Sequence, residues 1–161
     1  MLALSIPCYE PFKHYLGRLG FTTFPTEFDC VYSKHPLVDI AAKMGSFHWA
    51  FEYKTENDSV SRGLEQVSCY TDFFDFVVLV CEKTFDHRRS EKYWELKKLG
   101  VGLWFYDRNE DKCILKKDPI MQMPQKINRR LVSMRFAALG RSSRPVDLAQ
   151  ERLDLYGFAH R

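Results

Sequence analysis

Two apolar runs with a charged helix between them limit the folds open to this chain. DFVVLVCE (75–82) is a continuous apolar run of strand length, the pattern of a strand buried on both faces. HRRSEKYWELKK (87–98) follows as a charged helix stopped by Gly100, and VGLWFYD (101–107) is a second apolar strand. A strand–helix–strand crossover joins parallel strands with right-handed geometry. Residues 75–107 therefore predict a parallel unit, which has to be covered by helices.

The flanking segments add antiparallel strands. Runs near 37–43 and 46–54 are apolar and can be joined by a tight turn at Met44-Gly45. CILK (113–116) is a hairpin partner for 101–107 across a turn containing Asn109. FTTFPTEFDCVYS (21–33) reads as irregular or edge strand, broken by Pro25. Glu10–Leu19 predicts an amphipathic helix with Phe12, Tyr15, Leu16 and Leu19 inward and Gly20 as its cap. A second helix near 60–74 repeats Val60, Leu64, Val67 and Phe74 at helical spacing, after candidate caps in TENDSVS. Residues 118–124 read as a linker, followed by two helices, KINRRLVSMRFAALG and RPVDLAQERLDLYG, around Gly140-Arg-Ser-Ser. The expected fold is α/β, a mixed central β-sheet flanked by helices with a C-terminal helical extension. The core is assigned to 1–119 and the extension to 120–161.

A chain of 161 residues can bury a real core, and 45% apolar with 28% charged residues is ordinary globular composition. No apolar run approaches the ~18 residues of a membrane span, and MLALSIPCYEPFKHYL lacks the basic start of a secretory signal. Five scattered cysteines without a CxxC pair fit reduced thiols, with Cys69 and Cys81 in the core, and a cytoplasmic setting. Charge is uneven along the chain. Residues 120–161 hold eight of the 24 basic side chains but three of the 21 acidic ones, leaving 16 against 18 elsewhere. A basic extension on a balanced body fits a polyanion partner.

Chemistry concentrates in LVDIAAKMGSFHWAFEYK (37–54). With a two-residue loop at Met44-Gly45, Lys43 faces Ser46 and Asp39 faces Ala50. Alternation then gives Asp39, Glu52 and Lys54 one shared face, with Asp39 and Glu52 as diagonal neighbours about 7–8 Å apart at Cβ. Two carboxylates so spaced can converge on a hard cation. A lysine beside them can orient a water or offset negative charge, and this is the equipment of metal-assisted phosphodiester hydrolysis.

These residues resemble the PD-(D/E)XK nuclease superfamily, in particular its RecB-type and Holliday-junction-resolvase-like branches. The likeness rests on Asp39, Glu52-Tyr53-Lys54 and the helix that follows, where Gln66 and Tyr70 stand one turn apart. It spans roughly residues 8–107 and implies a restriction-endonuclease-like core and a Mg²⁺- or Mn²⁺-dependent DNA endonuclease. It further implies Asp39, Glu52 and the Tyr53 carbonyl as metal ligands, Lys54 as the water-positioning residue and Gln66 as a supporting or phosphate contact. Glu10 matches a position where some members carry a further acid. The proline departs from the pattern, standing at Pro36 rather than beside Asp39.

Glu-x-Lys alone carries little information, since it also occurs at Glu95/Lys97 and Glu110/Lys112, where solvated surface is the plain reading. For Glu52/Lys54 the plain reading is a cross-strand surface ion pair, and for Asp39 a buried pair with Lys54. His48 shares the expected face of Glu52 and so is expected near the site in either a structural or a catalytic role; His35 and His14 are weaker candidates. Gly-rich phosphate loops are absent from the sequence. Nucleic-acid contacts are assigned to Arg62, Arg129, Arg130, Arg141 and Arg144, with Lys126 and Arg135 nearby on a helical cap. DNA, branched or single-stranded, is the expected partner, and junction resolution would require a homodimer presenting two sites. Other readings are a catalytically silent nuclease-fold module that binds nucleic acid, or one that docks a protein partner.

Overall fold

The structure, a computed structural model, describes residues 7–30, 37–82, 84 and 91–139. The second tail helix expected from 144–157, with Arg141 and Arg144, lies outside the described residues, as does His35. Ten elements follow in order: α1 (Glu10–Arg18), β1 (Thr22–Thr23), β2 (Ile40–Met44), β3 (Phe47–Lys54), α2 (Val60–Tyr70), β4 (Phe76–Cys81), α3 (Glu91–Leu99), β5 (Gly102–Asp107), β6 (Lys112–Lys117) and α4 (Lys126–Ala138).

The six strands form one mixed sheet in chain order. β1–β2–β3 is antiparallel, β3–β4–β5 is parallel and β6 returns antiparallel on β5. Side-chain alternation divides the core between the two faces. On one, Phe12 and Leu16 of α1 pack on Ile40, Phe51, Val78, Val80 and Trp104. On the other, Leu64 and Val67 of α2, Leu96 of α3, and Leu131, Val132 and Phe136 of α4 cover Ala41, Ala50, Val77, Leu79 and Leu103. The first helix of the tail thus packs into the same core as α2. Burial of β4 on both faces explains its unbroken apolar run.

The β2–β3 turn differs from the expected one by a single residue. Met44 pairs with Phe47 and Lys43 with His48, so the loop is Gly45-Ser46 rather than Met44-Gly45. Gly45 has φ +61, which glycine adopts without a Cβ penalty at a tight hairpin. Moving the turn by one residue shifts every partner by two, which leaves face assignments unchanged. Ala41, not Asp39, faces Ala50. Leu19 also departs from expectation, since α1 ends at Arg18 and Leu19 lies exposed at its cap. α2 ends at Tyr70, earlier than expected, and Phe74 reaches the core from the turn that follows.

Candidate active site

Asp39 sits one residue before β2, where the chain has changed direction. Val38 exchanges both backbone hydrogen bonds with Phe28, at 2.9 Å each, and so turns away from β3. The Tyr53 N–H is thereby left without a ladder partner, and the Asp39 carboxylate accepts it through Oδ2 at 2.8 Å. Continued by one step, the β2–β3 register aligns Asp39 with Glu52 directly across, not diagonally. A residue's N–H and C=O leave a strand on the same side, so the Tyr53 carbonyl also faces the Asp39 edge.

Glu52 lies on the α2 face of β3 and is 1% exposed. Three groups surround its carboxylate. The Tyr70 hydroxyl donates to Oε2 at 2.9 Å, Lys54 Nζ pairs with Oε1 at 3.1 Å, and the Asp39 carboxylate repels it from just before β2. Tyr70 also lies 3.1 Å from the Leu37 carbonyl, tying α2 to the segment that carries Asp39. Lys54 Nζ donates to Gln66 Oε1 at 2.7 Å. α2 can supply Gln66 and Tyr70 together because residues four apart share a helix face. Its Ser59 cap, whose hydroxyl accepts the Arg62 N–H, sets where that face begins.

The electrostatics follow from burial. Desolvation, then repulsion from Asp39, pushes the Glu52 carboxyl up to about 8, against the pull of Lys54 and the Tyr70 hydroxyl. Asp39 is also raised, again first by burial, with the Tyr53 N–H and Lys54 opposing. One ammonium beside a buried and a half-buried acid leaves the site short of positive charge. Among the described residues no group of three or more His, Cys, Asp or Glu side chains gathers. A cation here would rest on two carboxylates and the Tyr53 carbonyl. These are hard oxygen donors, and the raised carboxyls are what a divalent ion would relieve, so the residues fit Mg²⁺ or Mn²⁺.

The structure therefore brings together Asp39, Glu52, Lys54, Gln66 and Tyr70. The plain alternatives are corrected in detail. Lys54 pairs with Glu52 rather than Asp39, and that pair is buried and along one strand, not on the surface or across strands. Arg62 is exposed on the first turn of α2, beside Asp58. Glu10 opens α1, whose side chains pack on the opposite face of the sheet from Glu52.

His48 shares the Glu52 face but not its site. It stands six residues before Lys54, about 20 Å away along the strand. There its ring packs on Phe136 at 5.1 Å and its backbone N–H is held by Asp75 at 2.9 Å. Burial lowers the His48 pKa. Arg129 reaches the same Asp75 at 3.1 Å, so it too lies at the far end of the sheet, while Arg130 is exposed. Asp75 was not singled out from sequence, and its pairing with His48 and Arg129 was not foreseen; an acid directly before a buried strand was the available signal.

A cleft of about 850 Å³ opens at the ends of β3, β4 and β5, lined by Cys8, Thr55, Asn57, Glu82 and Arg108 among others. It meets the opposite face of β3, where the Tyr53 hydroxyl donates to Glu82 at 2.6 Å.

Comparison with known proteins adds two findings. A family model described as bacteriophage P4 protein cII matches residues 22–150, which include every residue of the site. Among solved structures, the SPO1766 protein of unknown function from Silicibacter pomeroyi is similar, with a TM-score of 0.59 and 15% identity over 93% of this chain and 88% of that one. Similarity at that identity shows a shared fold alone. No curated protein matches.

Proposed function

The chain belongs to the bacteriophage P4 protein cII family, and we propose that it is a metal-dependent nuclease hydrolysing phosphodiester bonds of DNA. One observation carries this reading: a buried carboxylate on β3 and a half-buried one just before β2 stand together beside a buried lysine, and both are held above their ordinary pKa. Buried acids at such cost are uncommon unless they serve a cation or a reaction. The resemblance of Asp39, Glu52 and Lys54 to the PD-(D/E)XK pattern points the same way.

Asp39 and Glu52 would hold the ion, with the Tyr53 carbonyl as a third oxygen. Mg²⁺ or Mn²⁺, when bound, supplies Lewis-acid charge at the phosphoryl oxygens. Lys54, held by Gln66, orients the attacking water and offsets charge that develops at phosphorus. Tyr70 fixes the Glu52 carboxylate. Arg62 and Arg130, both exposed, attract phosphates, and Arg141 and Arg144 are proposed to add to that attraction, whereas Arg129, expected from sequence to do the same, is engaged with Asp75. The thiol pattern supports work in the cytoplasm, and a homodimer would present two sites to a branched substrate.

The test is cleavage of branched, single-stranded and duplex DNA in Mg²⁺, Mn²⁺ or chelator. Activity is expected with the metals, none with chelator, and none in Asp39→Ala or Glu52→Ala. Cleavage indifferent to chelator or to these substitutions overturns the reading.

A second reading follows from the near-complete enclosure of Glu52, which already has Tyr70 and Lys54 as partners. A self-satisfied network of this kind suits a silent module of the same fold that binds nucleic acid or a protein. Salt-dependent DNA affinity without turnover would select it.

A further inference from the structure

The Lys54 side chain reaches Gln66 and Glu52 by running between β3 and α2, and one residue of α2 leaves it room. Gly63 stands one turn before Gln66, on the face of α2 that meets the sheet. Its backbone is ordinary right-handed helix, so no unusual φ calls for glycine. The demand is for space. A methyl group on Gly63 would lie 3.0 Å from Lys54 Cε, 3.4 Å from Lys54 Cγ and 3.0 Å from Leu79 Cδ1. Leu79 is fully buried in β4, where close packing leaves its side chain little room to give.

Glycine inside a helix is unfavourable relative to alanine, which loses less conformational freedom on folding. Gly17 in α1 is a natural comparison, because a methyl group there meets nothing within 4 Å. Gly63 carries the same helical cost at a point where the missing methyl sets the path of a charged side chain.

We propose that Gly63 is a positioning residue, whose absent side chain lets the Lys54 stem lie flat beneath α2 and brings its ammonium to Gln66 and Glu52. This rests on the nuclease reading for its catalytic consequence, but not for its geometry. A methyl at 63 displaces the stem at Cε, the atom that carries Nζ, whose place 2.7 Å from Gln66 Oε1 depends on it. Contacts of 3.0 Å require the neighbours to give by a few tenths of an ångström, a fraction of the roughly 1 Å misplacement that costs about 10²-fold in turnover.

The experiment compares Gly63→Ala with Gly17→Ala in the full chain, using two readouts. One is the resonance of Lys54 in protein labelled with ¹³Cε-lysine, assigned by its loss in Lys54→Arg. The other is Mg²⁺-dependent DNA cleavage, resolved into kcat and KM. Gly63→Ala is expected to shift or broaden the Lys54 resonance and to lower kcat by about 2- to 10-fold with KM little changed. Gly17→Ala should alter neither. An unmoved Lys54 resonance in Gly63→Ala overturns the proposal, as does a moved resonance with undiminished kcat. Should the wild-type chain cleave nothing, the nuclease reading fails and the resonance alone decides the role of Gly63. Should Gly63→Ala fold poorly, Gly63→Ala with Leu79→Val removes the other obstructing atom and keeps the contact with Lys54.

Discussion

The Asp39 carboxylate accepts the backbone N–H of Tyr53, 2.8 Å away, in the place where an antiparallel partner strand would have offered a carbonyl. One oxygen of Asp39 thus completes the sheet edge and the other remains for a ligand. Asp39→Asn keeps an oxygen for the N–H, whereas Asp39→Ala leaves the donor unpaired at a cost of about 1–3 kcal/mol. Both should abolish metal-dependent cleavage. Only the alanine variant should lower the thermal midpoint, by about 2–4 °C for each kcal/mol in a domain of this size. Paired calorimetry and cleavage assays check this, and equal destabilisation by both variants contradicts it.

Tyr70→Phe removes the hydroxyl that lies between the Leu37 carbonyl and Glu52. Metal affinity is expected to fall by about 10- to 100-fold, the usual effect of losing a partner that orients a ligand. Isothermal titration with Mn²⁺ reads this directly. Unchanged affinity would mean that Tyr70 secures the fold alone.

The pH dependence has a definite sign. In the folded chain Glu52 titrates near 8 against its ordinary 4.5, so the folded state holds the proton more tightly than the unfolded state. The resulting stability is complete below the unfolded value and is lost as pH rises through the folded one. Asp39, also raised, acts in the same direction. In chelator the thermal midpoint should therefore decline between about pH 5 and 8. Mg²⁺ should restore stability at the upper end and bind weakly near pH 5, where the ligands retain protons. A midpoint that rises with pH across this window, measured with chelator, would refute the assignment.

Two neighbouring arginines should behave differently. Arg129 is engaged with buried Asp75, so Arg129→Ala is expected to cost stability while leaving the salt dependence of DNA binding nearly unchanged. Arg130 is exposed, and Arg130→Ala should reduce the log–log salt slope by about one if it meets a phosphate. Fluorescence anisotropy across a salt series distinguishes them; a reduced slope in Arg129→Ala would assign that side chain to DNA instead.

Much of the architecture was legible because it is periodic. The unbroken apolar run of β4, the charged α3 and the apolar β5 imply a parallel unit from local pattern alone, and the sheet is built around it. The common face of Asp39 and Glu52 was legible for a subtler reason. Alternation has a period of two, and displacing the turn to Gly45-Ser46 moves partners by two, so an incorrect register still yields the correct face.

Periodicity says nothing about distance along that face. Glu52 and His48 have the same parity, yet one meets Asp39 and Tyr70 while the other, about 13 Å back along the strand, meets Asp75 and Phe136. Local sequence thus determines which side of a strand or helix each residue occupies, because that depends only on backbone geometry. Whether Lys54 turns to Glu52 or Asp39, whether Glu52 is buried, and why residue 63 must lack a side chain depend on how closely α2 approaches β3 and β4. That approach is decided by packing between segments far apart in the chain, and so appears only in the folded molecule.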